Sequence, residues 1–145
     1  MRKRIFIMKR QLVIASHGKL AEGMKKTLEF IAGQQTQLTV MTAYTDNQPI
    51  EEQVKKIMSE FKPDEEVVIF TDMLAGSVNQ KFFPYRSRPH TQIVTGMNLP
   101  VVLAVTMEST DDYLTSQKMR ELIDQARQQL VYVNDINIEA DDDDE

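Results

Sequence analysis

The 145-residue chain has no cysteine and no tryptophan, only two histidines, and five residues each of glycine and proline. Without cysteine there is no disulfide framework, no thiolate nucleophile and no cysteine-ligated zinc or iron–sulfur centre. A reducing compartment is consistent with that composition. Two histidines make a dedicated transition-metal site a poor expectation, so neither metal nor cofactor is expected. Scarce glycine and proline exclude collagen-like and linker-dominated chains. The mean hydropathy is −0.38 and no apolar run is long enough for a membrane span, so a soluble chain is expected. Near the N-terminus, Ile5 to Met8 is cut short by Lys9 and Arg10, which leaves too little for a signal-peptide core.

The net charge of −5 is unevenly placed: residues 1–10 carry five bases and no acid, and residues 139–145 six acids and no base. The remainder is mildly acidic and offers no extended basic face for a phosphate backbone. Nucleic acid is therefore not an expected partner. One domain is expected over residues 8–138, with an extension at 1–7 and a disordered, solubilising acidic tail at 139–145.

What the chain does have is alternation. Gln11 to Ala15 is a short apolar run of strand type, and Leu20, Met24, Leu28 and Ile31 then recur at helical spacing up to Gly33. Leu38 to Tyr44 is rich in β-branched and aromatic residues; Ile50, Val54, Ile57 and Phe61 follow at helical spacing until Lys62-Pro63. Val67 to Thr71 reads as a strand buried on both faces. Ser77 is placed to cap a helix over Val78 to Phe83 that Pro84 shortens, and Gln92 to Thr95 reads as a strand. Pro100 suits the first turn of a helix. Ser109 or Thr110, with Asp111 and Asp112, reads as the start of a long helix reaching about Leu130, and Val131 to Ile138 as a last strand-like stretch. Short connections between strand and helix predict a doubly wound α/β domain, with a mainly parallel sheet, helices on both faces and a 2-1-3-4 strand order.

In such sheets ligands gather beyond the carboxyl ends of the strands, where the winding reverses. Two loops lie there: Ser16-His17-Gly18 after the first strand, and Asp72-Met73-Leu74-Ala75-Gly76-Ser77 after the third. A lone histidine is most often a capping or solvated residue, and His90, between Pro89 and a strand, reads that way. Alone, Asp72 would be a turn or cap aspartate. Together they suggest more. A carboxylate at the neighbouring strand end can accept the Nδ1–H of His17 and leave Nε2 free as a nucleophile, while Gly18 permits close backbone approach. Gly76 and Ser77 lead into a helix whose open N–H groups, with the Ser77 hydroxyl, suit a phosphoryl anion. Phosphoryl transfer through a phosphohistidine is the chemistry such a set would perform. No GxxxxGK[ST] loop and no GxGxxG after a strand is present, which disfavours direct use of ATP or a dinucleotide.

The segments QLVIASHGKLAEGM, VVIFTDMLAGSVNQ and IVTGMNLPVVL, in that order over about residues 8–130, resemble the mannose-family IIA component of the bacterial phosphoenolpyruvate:sugar phosphotransferase system (PTS). The resemblance implies a phosphotransferase in which His17 is the phosphoacceptor, Asp72 orients its imidazole, Gly76 and Ser77 receive the phosphoryl group, and Asn98 lies in a turn near the site. Ser16, Gly18 and Met73 flank them. It implies the histidine phosphocarrier protein HPr as donor, a IIB component as acceptor, and membrane IIC and IID components served indirectly. The workplace is then cytoplasmic, the sugar is of the mannose, fructose, sorbose or N-acetylgalactosamine class, and a homodimer exchanges C-terminal strands, which would occupy Val131 to Ile138. Ala75 departs from the family's usual second glycine. Three other readings stay open at this point: the phosphotransfer subunit of a dihydroxyacetone kinase system, a noncatalytic regulatory or binding module, and a receiver domain. The last should carry an acidic pair after the first strand, where this chain has Ser16-His17.

Overall fold

The computed structural model describes residues 9–138. The readings of residues 1–7 as an extension and 139–145 as a disordered tail therefore lie outside the described residues. Four parallel strands, β1 (Arg10–His17), β2 (Leu38–Ala43), β3 (Glu66–Thr71) and β4 (Thr91–Thr95), form one sheet in the order β2-β1-β3-β4, as expected. The helices are α1 (Leu20–Ala32), α2 (Ile50–Ser59), α3 (Ser77–Phe82), α4 (Leu99–Thr106) and α5 (Ser116–Arg127).

Alternation along β1 accounts for the two layers. Leu12 and Ile14 pack with Leu28 of α1, Val102 of α4 and Leu122 of α5; Val13 and Ala15 pack on the other face with Val54 and Met58 of α2 and with Val78 and Phe82 of α3. Central β3 is enclosed on both sides, with Val67, Val68, Ile69 and Phe70 each 0% exposed. At about 1.5–3 kcal/mol per fully buried large apolar side chain, these residues supply much of the drive to fold.

A buried polar network closes the far end of the sheet from His17. The Arg10 Nε donates to Glu66 Oε1, and its Nη atoms donate to the carbonyls of Glu108, Ser109 and Asp112. Glu66 Oε2 in turn accepts the Leu114 N–H at 2.6 Å. The segment between α4 and α5 is thereby held as a loop, which corrects the expected helix start. Its cap is not Ser109 or Thr110 but Thr115, whose side chain accepts from Lys118 N, and α5 ends at Arg127 rather than near Leu130.

Val131 to Ile138 is not a strand. It contains only a short 3-10 turn at Val133–Asp135 and pairs with no strand among the described residues, and β-branched residues form a strand only once they are seated on a partner edge. Pro84 shortens α3 as expected, since a 3-10 turn over Phe83–Ser87 takes over from the helix.

Candidate functional site

Parallel pairing of β1 with β3 sets Ala15 opposite Thr71, so the next residues of each strand, Ser16-His17 and Asp72, emerge side by side. Asp72 Oδ2 accepts two hydrogen bonds from one residue: the backbone N–H of His17 at 2.8 Å and its ring Nδ1 at 2.9 Å. Since an ionised carboxylate only accepts, Nδ1 carries the hydrogen and Nε2 keeps its lone pair. Burial of Asp72 pushes its pKa upward, but the backbone and ring donors of His17 outweigh that and hold it below the ordinary 3.8. The other oxygen, Oδ1, is buried and accepts from no described residue. The imidazole is less enclosed than its anchor, with side-chain exposures of 40% for His17 and 7% for Asp72.

Nε2 faces the start of α3, where Ser77 Oγ lies 3.3 Å away. Ser77 is not the helix cap it was expected to be. Gly76 occupies the N-cap position, and the Ser77 side chain makes no cap hydrogen bond; it is turned to His17 and to the hydroxyl of Tyr44, 2.7 Å distant. As the helix begins here, its first-turn N–H groups lack intrahelical acceptors. Gly76 is favoured by closeness rather than by backbone angle. A Cβ on it would stand 3.3 Å from both His17 Cε1 and the Met73 carbonyl, while its φ is an ordinary −72°.

The remaining expected residues divide by role. Gly18 has φ +60° and donates its N–H to Ala43 O at 2.8 Å, tying the turn after β1 to the end of β2. Ser16 is buried, and its hydroxyl accepts the Ala21 N–H at 2.8 Å and donates to Gly18 O, so it ties the start of α1 to the end of β1 and makes no hydrogen bond with the imidazole. Met73 is exposed at the rim of the site. Asn98 is the N-cap of α4, accepting from Val101 N and donating to Ala126 O, and it makes no hydrogen bond with His17. His90 is a loop residue as expected, stacked on Tyr113 and bonded through its carbonyl to the first residue of β3 after Glu66.

Sequence reasoning missed Tyr44. Its ring stacks against that of His17 with centroids 5.5 Å apart. The signal was its position directly after β2, a third strand end at the edge where ligands gather.

Ala75 has φ +69°, in the left-handed region that costs a side-chain-bearing residue about 1–2 kcal/mol. Its side chain is exposed, so Ala75→Gly is expected to raise stability by about 0.5–1 kcal/mol, the relief being partly offset by the greater entropy glycine loses on folding. A urea midpoint that stays put or falls would contradict this.

Comparisons with known proteins bear on the family and the fold. The profile of the EIIA-man family, described as the PTS system fructose IIA component, matches residues 11–126. A candidate phosphoenolpyruvate-dependent sugar PTS permease from Klebsiella pneumoniae subsp. pneumoniae MGH 78578 is 30% identical; the match covers 92% of this chain and 98% of that one, with a TM-score of 0.84. The PTS IIA protein associated with the fucose utilization operon of Streptococcus pneumoniae is 25% identical over 88% and 96% of the two chains, with a TM-score of 0.75. The mannose/sorbose specific IIA subunit of Enterococcus faecalis, 18% identical over 86% and 94% with a TM-score of 0.70, bears on the fold alone. With its profile match spanning β1 to α5 and a relative of this likeness along nearly its whole length, the chain belongs to the EIIA-man family of PTS IIA components.

Proposed function

We propose that this IIA component carries a phosphoryl group on Nε2 of His17, taking it from phosphorylated HPr and passing it to a IIB component at the cytoplasmic face of the membrane. The observation that carries the reading is the direction of the imidazole: Nδ1 is committed to Asp72, and Nε2 faces Ser77 at the partly open end of the sheet. The domain is taken as residues 8–138, and the sugar as one of the mannose, fructose, sorbose or N-acetylgalactosamine class.

In the transfer, the Nε2 lone pair attacks phosphorus as the N–P bond of the donor phosphohistidine breaks. The bonding pair leaves with the donor imidazole. The new ring carries Nδ1–H and Nε2–P together and so gains positive charge, which the adjacent Asp72 carboxylate stabilises. Ser77 Oγ–H and the first N–H groups of α3 donate to the phosphoryl oxygens, and Gly76 leaves room for the ring beside them. Reversal on a IIB nucleophile returns His17 to its neutral form, so no proton needs to be exchanged with solvent.

Incubation with enzyme I, HPr and labelled phosphoenolpyruvate is expected to place one phosphate per chain, lost in acid and retained in alkali. An alkali-labile acyl phosphate, or no label, would overturn the reading.

A homodimer belongs to the same proposal. The outer edge of β4 is unpaired among the described residues. Beyond α5, Leu130, Tyr132, Val133, Ile136 and Ile138 are between 53% and 89% exposed, an apolar run that a neighbouring sheet edge would cover. Sedimentation is expected to show a dimer that dissociates when the chain is cut after Gln129; an unchanged mass after truncation would refute strand exchange.

A further inference from the structure

Tyr44 is an exposed aromatic residue with φ +68°, a conformation that an L side chain avoids. Neighbouring bonds hold it there. The preceding Ala43 carbonyl accepts from Gly18 N, and Thr45 Oγ1 donates back to Thr42 O at 2.8 Å. Strain of this kind, maintained beside a reactive imidazole, calls for a reason in the site.

The direction of the hydrogen bonds supplies one. Nδ1–H of His17 is donated to a carboxylate, so the neutral ring offers only an acceptor at Nε2. Ser77, 3.3 Å from that lone pair, must therefore be the donor. A serine hydroxyl has a single hydrogen, and with it spent on Nε2 the 2.7 Å contact to Tyr44 can form only with the tyrosine O–H donating to Ser77 Oγ. The three groups make a one-way chain, Tyr44 to Ser77 to His17.

We propose that Tyr44 is a positioning residue: by donating to Ser77 it commits the serine hydrogen to the Nε2 side. This rests on the phosphohistidine reading for its use in transfer. Once the Nε2 lone pair is in the N–P bond, the Ser77 O–H donates its hydrogen bond to a phosphoryl oxygen instead, and the tyrosine keeps it from turning to solvent. The stacked ring narrows the choices open to the imidazole in the same way.

Tyr44→Phe retains the ring and removes only the donated hydrogen, so it separates positioning from packing. In the unphosphorylated protein, the His17 Nε2 nitrogen-15 resonance is expected to move downfield in Tyr44→Phe, in the same direction as in Ser77→Ala. Transfer from phosphorylated HPr should slow about 5-fold in Tyr44→Phe, the weight of one ordinary hydrogen bond. On a Ser77→Ala background, Tyr44→Phe should cause no further loss, because its effect travels through the serine. An unmoved Nε2 resonance, or losses that multiply in the double variant, would overturn the proposal. A parent chain that takes no phosphate, with the Nε2 resonance still moving in the two variants, would refute the transfer function and leave the hydrogen-bond chain standing.

Discussion

His17→Ala is expected to reduce labelling from phosphoenolpyruvate to background, and Asp72→Asn to slow it by about 10²- to 10⁴-fold with the fold intact, the upper figure being that of the same exchange in serine protease triads. The second result is the more informative, because asparagine fits the space of aspartate. If its amide nitrogen faces the ring, Nδ1 must become the acceptor and the hydrogen moves to Nε2, masking the nucleophile. If its oxygen faces the ring the tautomer survives, but the charge that stabilises the phosphorylated imidazole is gone. Either orientation costs rate. Stopped-flow transfer from HPr and far-ultraviolet circular dichroism together decide the matter: unchanged rates in a folded variant would remove Asp72 from the mechanism.

The pH dependence follows with a definite sign. Burial raises the Asp72 pKa, but the two His17 donors prevail and hold it below 3.8, so folding is favoured by this group throughout the range above that value. The contribution disappears only as pH falls through the lower folded-state pKa. Asp72→Asn is therefore expected to unfold less steeply in acid than the parent, and neither transfer nor stability should show an Asp72 transition near neutrality.

The largest expected stability effect lies at the other end of the sheet. Glu66→Ala leaves the Arg10 guanidinium, 6% exposed, buried without its counter-charge, and leaves the Leu114 N–H without an acceptor. Loss of one partner from a buried pair costs about 3–5 kcal/mol, a large share of the 5–15 kcal/mol that holds an ordinary domain together. The double variant Arg10→Met with Glu66→Leu removes both charges and should lose less than Glu66→Ala alone. It should not recover fully, because the Glu108, Ser109 and Asp112 carbonyls lose a donor. Urea unfolding measures both; a loss below about 1 kcal/mol for Glu66→Ala would show the network to be dispensable. At the permissive temperature transfer should be unaffected, since the length of β1 separates Arg10 from His17.

The strand order and the meeting of His17 with Asp72 were legible in the sequence because each rests on a local signal. Apolar runs end at those residues, and the doubly wound order that short strand–helix connections imply makes β1 and β3 neighbours although β2 lies between them in the chain. Features decided by distant contacts were not legible. Thr115 competes as a cap with Ser109 and Thr110, and only the grip of Arg10 and Glu66 on the intervening loop settles which one starts α5. Glu66 itself looks like the polar margin of a strand until Arg10 is placed beside it. Val131 to Ile138 has the composition of a strand but joins no edge of the sheet among the described residues, and composition does not say which edge a segment reaches. Tyr44 needed the side-chain geometry of three separate segments before its hydroxyl had a partner.

The double acceptance at Asp72 Oδ2 fastens the imidazole to the backbone of its own strand, so the ring cannot swing from one visitor to another. On the proposed function, giver and receiver of the phosphate would have to call at the same doorway by turns, each leaving before the other arrives. An excess of either visitor is then expected to obstruct the other.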